Sequence, residues 1–268
     1  MYFKYDFKMG FCKDWYKIFV LIGAVLISCI ALLYYADFND LKLGSFDYLL
    51  YLTKAEPPYD PELDERFQFP FTWFLLHLYL AWLIGRYPFS ELYNNHGSSV
   101  LILGGSRRKW YISKLIWALF TVVSYYLVMF LTVLIFCAVC QIPITWKIQG
   151  VYDPQVLSLI EPVSTQTLLA VLMLPILTSI TVSALQLFLS ALTSSVISFF
   201  LIAVLFVAST YETTVLLFPN CSQLSKYTIF SENGIGIAES YIALGIVLLG
   251  SVIAGLIHFQ RQDILKKQ

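Results

Sequence analysis

Six apolar stretches separated by polar loops constrain this chain more than any motif does. They cover residues 18–36, 69–85, 115–140, 167–192, 195–211 and 241–259. About 20 apolar residues cross the hydrocarbon core of a bilayer as a helix, and a helix satisfies its backbone polar groups internally where no water is present. The expected fold class is therefore all-α integral membrane with six transmembrane helices. With 59% hydrophobic and 13% charged residues, and a mean hydropathy of +0.74, the composition lies outside the range of soluble proteins. Six helices and their loops nearly use up 268 residues, so a single transmembrane domain over 1–268 is expected, without a separate soluble domain.

Charge on the loops sets the orientation. With the N-terminus inside, the inner segments hold 12 of the 17 Lys and Arg residues, and the outer segments hold 13 of the 17 Asp and Glu residues. Basic residues near span ends stay cytoplasmic, so both termini are expected in the cytoplasm. The net charge of zero conceals this asymmetry and gives no reason to expect nucleic acid as a partner. A basic inner face suits membrane lipid headgroups or an acidic partner.

Lys4, Lys8, Lys13 and Lys17 precede the first apolar run, and Leu26-Ile27-Ser28-Cys29 loosely resembles a lipoprotein cleavage box. The run continues through Tyr34-Tyr35, longer than a signal peptide's apolar core, so an uncleaved first span is expected. Within 1–17, Phe3, Phe7, Phe11 and Trp15 recur every four residues among lysines. That pattern suits an interfacial helix, with rings in the acyl boundary and amines such as those of Lys4 and Lys8 at lipid phosphates. The five cysteines are scattered and form no disulfide framework. Cys137-x-x-Cys140 has metal or redox spacing, but it lies in an apolar helix without nearby His, Asp or Glu and reads as two packing residues.

Outer loop 37–68 is acidic and broken by prolines, and its carboxylates read as a solvated cluster or as a site for a cation. Inner loop 86–114 is the most informative polar segment. Ser90 can cap a short helix whose first turn holds Glu91, and Gly97 can end it. Gly104-Gly105 then precede Arg107-Arg108-Lys109, whose charges can reach lipid phosphates. In the fourth span, Ser179, Ser183, Gln186 and Ser190 follow steps of 4, 3 and 4 and share one helical face. Such a face must look at protein or water; it packs helices closely or lines a polar conduit. Segment 212–240 is too long for a turn and suits an outer re-entrant or interfacial element. Gly245, Gly250 and Gly255 suit close helix contacts.

Few residues carry chemistry. No G-x-x-x-x-G-K-[ST] phosphate loop is present, so no ATP site is expected in this chain. His77 lies inside the second span, where an imidazole is a functional candidate by default. It also reads as a packing histidine that hydrogen-bonds across helices. No catalytic, cofactor or metal site is expected.

Three segments resemble the membrane subunit of type-2 ABC transporters. After the second span stand Glu91, Gly97-Ser98, Leu101-Ile102-Leu103, Ser106-Arg107 and Lys114, in the family's order. Leu189-Ser190-Ala191-Leu192-Thr193-Ser194 is similar to its small-residue turn, and Phe259-Gln260-Arg261-Gln262-Asp263-Ile264 to its Phe-x-Arg-x-Asp ending. The chain departs from the pattern in its short acidic outer loop and in Gly105, where the family has Pro. The resemblance implies a bacterial plasma-membrane exporter built of two permease subunits and two cytoplasmic ATPase subunits, with ATP and Mg bound in the ATPases. It implies that Phe89, Ser90, Glu91, Leu92, Tyr93 and Asn94 form a short cytoplasmic coupling helix docked on an ATPase, and that residues 1–17 form a connecting helix. With 21 Phe, 18 Tyr and 6 Trp, the leading expectation is expulsion of an amphipathic peptide or hydrophobic antimicrobial. Export of lipid-linked glycan or another small substrate, an intramembrane enzyme centred on His77, and a non-transporting scaffold or sensor are the alternatives.

Overall fold

A computed structural model describes residues 2–12, 15–53, 69–88, 106–146, 165–229 and 234–261. These residues are helical throughout apart from turns and one isolated bridge, Tyr227 with Ile235. The chain opens with α1 (Tyr2–Asp6) and a π-helical turn (Phe7–Cys12). Then follow α2 (Lys17–Phe38), α3 (Ser45–Leu52), α4 (Phe71–Arg86) and α5 (Arg107–Val139). The chain continues with α6 (Thr165–Leu192), α7 (Ser195–Tyr211), two 3-10 turns (Phe218–Ser222 and Leu224–Lys226) and α8 (Ile237–Arg261).

Among the described residues, four helices are long and apolar enough to cross a membrane: Lys17–Phe38, Arg107–Val139, Leu169–Leu192 and Ile237–Arg261. The chain thus has the make-up of a membrane protein. Helices α4 and α7 are shorter, at 16 and 17 residues, or about 24 and 26 Å.

The helix ends follow local chemistry. Ser106 caps α5 by accepting from Lys109 N at 3.4 Å, and Ser194 caps α7 by accepting from Ile197 N at 3.2 Å. Asp40 and Gln141 take the left-handed conformation just past α2 and α5 (φ 55° and 57°). Leu41 N returns to Ala36 O at 2.9 Å and Ile142 N to Cys137 O at 2.8 Å, which satisfies carbonyls the helices leave open. Helix α5 begins at Arg107, eight residues ahead of the apolar stretch read at 115–140. Apolar composition marks where a helix meets lipid, whereas the backbone bonds continue into its charged first turns.

Helix α6 is the centre. It packs against α4, α5, α7, α8 and the first 3-10 turn, and Val171, Leu174, Thr178, Thr181 and Gln186 on it are fully buried. The contacts of Arg107 with Gln260, Ser190 with Ser198, Gly85 with Gln186 and Ser195, and Lys114 with Asp6 place the starts of α5 and α7 and the ends of α4, α6 and α8 at the end of the bundle that holds the N-terminus. The six long helices therefore alternate in direction.

At the opposite end, α3 lies within the stretch read from sequence as a loop. Ser45 N donates to Pro143 O at 3.0 Å, Ser45 Oγ donates to Thr145 O at 3.0 Å, and Leu224 N donates to Thr53 O at 3.2 Å. These bonds bind α3, the turn after α5 and the 3-10 turns into one buried cap. Within 212–240, read from sequence as an outer re-entrant or interfacial segment, stand these two 3-10 turns. Of the three α8 glycines, Gly255 alone makes a close approach: a Cβ there would overlap the Tyr111 hydroxyl, while Cβ atoms at Gly245 and Gly250 meet open space. Steps of five residues turn about 140° around a helix, so the three do not share a face.

Candidate functional site

A buried ion pair joins the N-terminal segment to the bundle. Asp6 ends α1, and Lys114 lies two turns into α5. Asp6 Oδ1 accepts from Lys114 Nζ at 2.5 Å and from the Tyr87 hydroxyl at 3.1 Å, and Asp6 Oδ2 accepts from the Ser113 hydroxyl at 2.5 Å. The two charged side chains are 3% and 1% exposed. The Lys114 ammonium also stands 4.3 Å from the Tyr87 ring centroid and 5.0 Å from that of Trp110, so rings and hydroxyls replace the water both charges lose. Tyr87 precedes residues 89–105 in the chain, and Ser113 and Lys114 follow them. One carboxylate thus gathers the N-terminal helix and residues on both sides of that segment.

The aromatic stripe of the N-terminal segment is only part of its packing. Residues 2–12 form a helix and a π turn rather than one helix, and the inward residues are Tyr2 and Asp6, one turn apart. Phe7 meets Phe120 edge-on at 5.2 Å, while Phe3 and Trp15 remain exposed. Gly10 lies against α4 and α5, where a Cβ would come within 2.6 Å of Trp117 Nε1 and 2.9 Å of the Tyr87 ring.

A second polar line runs through the bundle core. His77 on α4 contacts the Trp73 carbonyl through Nδ1 at 2.8 Å and the Tyr126 hydroxyl through Nε2 at 3.2 Å. A carbonyl only accepts, so Nδ1 carries a proton in this contact. The Tyr126 hydroxyl also lies 3.0 Å from Pro175 O and 2.9 Å from Ser179 Oγ. Trp73 Nε1 donates to Ser222 Oγ at 2.9 Å, which ties this line to the cap.

The α6 stripe faces the inside of the chain, where each of its four side chains makes a hydrogen bond and Gln186 Oε1 is left without a partner among the described residues. Ser179 meets Tyr126, Ser183 Oγ donates to Ser179 O at 2.7 Å, Gln186 Nε2 donates to Ala81 O at 2.9 Å, and Ser190 Oγ pairs with Ser198 Oγ at 2.6 Å. All four are buried. Their hydroxyls and amide serve close helix packing here, with Gln186 fitting against Gly85, whose missing side chain leaves it room.

Other sequence candidates are placed differently. Arg107 Nη1 donates to Gln260 O at 3.2 Å, where a cation suits the C-terminal end of α8, while Phe259 is sandwiched with Trp110 at 4.8 Å and Tyr111 at 5.7 Å. Lys8, Arg108 and Lys109 are exposed, and Lys4 lies in α1. Phe89, Ser90, Glu91, Leu92, Tyr93 and Asn94 lie outside the described residues, as does acidic segment 54–68. Among the described residues no three His, Cys, Asp or Glu side chains gather as a metal site, and Cys29, Cys137, Cys140 and Cys221 are free thiols.

Sequence reading passed over Asp6, Tyr87 and Lys226. Lys226 is buried in the cap, where its ammonium donates to Ser209 O, to Glu212 O at 3.2 Å and to Asn220 Oδ1 at 3.0 Å. Burial pushes its pKa down to about 8, against the opposing effect of the Glu212 charge. A carboxylate inside a lysine-rich segment and a lone lysine in an apolar one were the available signals.

A sequence-family profile described as "Protein of unknown function (DUF2705)" matches residues 12–265. No curated protein and no solved structure matches.

Proposed function

We propose that this chain, which belongs to the DUF2705 family, is the membrane-spanning subunit of an ATP-driven exporter of the type-2 ABC kind. The reading puts all six long helices across a bacterial plasma membrane with both termini in the cytoplasm. Alternation of helix direction and the inner excess of Lys and Arg support that topology. Two such subunits pair, and separate cytoplasmic ATPases drive them. The work of this chain is then a conformational equilibrium that its partners bias.

One observation carries the reading: the Asp6 carboxylate holds the N-terminal helix, Tyr87, Ser113 and Lys114 together around the base of loop 89–105. A push on that loop is passed to α4, α5 and the N-terminal helix at once. Such a junction suits a coupling element at Phe89–Asn94. The substrate class follows from composition: abundant aromatic rings suit an amphipathic peptide or hydrophobic antimicrobial taken from the bilayer.

The test is purification of the tagged chain from its native membranes in mild detergent, with ATP hydrolysis measured in the eluate. An ATPase co-purifies with the native chain and is lost, together with efflux, when Glu91 and Leu92 are replaced by Ala. A chain that performs its task without a nucleotide-hydrolysing companion overturns the proposal. Impermeant thiol labelling of single cysteines at Asn95 and Asp60 checks orientation: labelling at Asp60 only is expected in intact cells, and labelling at Asn95 only inverts the topology.

A further inference from the structure

Pro175 stands inside α6, the central helix, which runs on through it. A proline has no N–H to give the carbonyl four residues back, here that of Val171, and its ring pushes that carbonyl aside. The ladder is thus interrupted in a buried stretch, since Val171 and Leu174 are 0% exposed. Helices bend at such positions, and in a membrane the neighbouring helices must satisfy the backbone groups set free. Two tyrosine hydroxyls bond α6 carbonyls on either side of the break. Tyr241 of α8 donates to Ala170 O at 2.9 Å, and Tyr126 of α5 stands 3.0 Å from Pro175 O.

The Tyr126 hydroxyl has two claimants. A phenol donates one proton, and its oxygen accepts. Around this one stand two acceptors on different helices, Pro175 O on α6 at 3.0 Å and His77 Nε2 on α4 at 3.2 Å. The third neighbour, Ser179 Oγ at 2.9 Å, can donate to the phenol oxygen. His77 Nδ1 carries a proton toward the Trp73 carbonyl at 2.8 Å, so in the neutral ring Nε2 offers only a lone pair. One proton therefore binds α5 to α6 or to α4, and cannot serve both fully. Tyr126 and His77 are both buried, where the choice between partners counts most. The α4 side is also tied to the cap, because Trp73 Nε1 donates to Ser222 Oγ at 2.9 Å. The 3-10 turn that holds Ser222 packs on α6.

We propose that α6 is hinged at Pro175 and that the Tyr126 hydroxyl is a two-state clamp on that hinge. Clamped, the phenol donates to Pro175 O and holds α6 to α5. Released, it donates to His77 Nε2, and the part of α6 between Leu169 and Pro175 swings against the cap. A change in bend of about 20° moves Leu169, about 9 Å along the helix, by about 3 Å. The hinge belongs to this chain alone. Its use as the outer gate of an exporter rests on the function proposed above, and the test needs no ATPase, so the two fail separately.

The experiment puts spin labels at Leu169→Cys and Tyr211→Cys, exposed positions at the cap end of α6 and α7. The full chain, its five native cysteines replaced by Ala, sits in lipid nanodiscs, and pulsed electron resonance reads the distance between the labels. Two distances about 3 Å apart are expected. Tyr126→Phe keeps the ring, removes the proton and shifts the ratio toward the released distance. His77→Leu removes the rival acceptor and shifts the ratio the other way. Each shift is about two- to tenfold, the worth of one neutral hydrogen bond. Pro175→Ala restores the N–H and leaves a single distance; it stands in should either other variant misfold. A second readout keeps the cysteines in place. The ¹⁵N resonance of His77, one of three histidines and assigned by its loss in His77→Leu, is expected to show an unprotonated Nε2. One distance common to the starting chain, Tyr126→Phe and Pro175→Ala overturns the proposal. Shifts of the same sign in Tyr126→Phe and His77→Leu overturn it too. So does a protonated Nε2, which donates to the phenol instead of competing for its proton.

Discussion

Asp6 and Lys114 stand 108 positions apart in sequence and 2.5 Å apart in space. Neither reaches water to any extent, so each is held in place by the other and by the Tyr87 and Ser113 hydroxyls.

Removing one charge from this pair is expected to cost more than removing both. Asp6→Asn or Lys114→Met leaves a buried charge uncompensated, a loss of about 3–5 kcal/mol. The double replacement Asp6→Leu with Lys114→Met recovers much of that loss. Thermal unfolding in detergent and proteolysis of the N-terminal segment measure both, and the cycle gives the coupling energy. Equal losses in the single and double variants would contradict the pairing.

Tyr126→Phe removes the hydroxyl that His77 Nε2, Pro175 O and Ser179 Oγ surround. A buried acceptor left without its donor costs about 1–3 kcal/mol. The expected result is a lower unfolding temperature, with little change in helical content. Tyr34→Phe, on a strongly exposed side chain, serves as the control and leaves stability unchanged.

Two glycines of α8 are expected to respond with opposite sign. Gly255→Ala forces a Cβ onto the Tyr111 hydroxyl and destabilises by about 1–3 kcal/mol, the usual cost of overpacking. Gly250→Ala meets open space and stabilises the helix by about 0.5–1 kcal/mol. Paired unfolding curves read the sign directly.

The cap should gain stability as the solution turns mildly alkaline. Lys226 titrates at about 8 in the fold and at 10.5 as a free side chain. Between these values the unfolded state binds more protons than the folded one, so stability rises with pH from about 8 upward and does not change below it. The buried Cys221 thiol reports opening of the cap. Its labelling by a thiol reagent, referenced to Lys226→Met at each pH to cancel thiolate reactivity, is expected to slow relative to that variant between pH 8 and 9. A ratio independent of pH would count against the buried ammonium.

Long-range order in the chain was legible to different degrees. Helix existence was plain because apolar runs report local burial in lipid, and the span read at 195–211 coincides with α7. The α6 stripe was equally visible, since steps of 4, 3 and 4 fix a face whatever it touches. Helix α3 was hidden: its eight residues contain Asp47 and Ser45, and its burial comes from α2 and α5 rather than from any period of its own. The N-terminal aromatic stripe was visible but incomplete, because Tyr2 and Asp6 acquire their role only when Lys114 arrives beside them.

By itself the sequence determined that this protein is helical, apolar enough for a membrane and basic on one set of loops, because hydropathy and charge are properties of each residue and its near neighbours. Only the tertiary structure decided that Asp6 meets Lys114, that the α6 hydroxyls face protein, and that Tyr126 stands between His77 and Pro175. Those outcomes depend on which helix faces lie against each other. In a chain apolar on nearly every face, that choice rests on shape and on a few polar pairings between residues far apart in sequence.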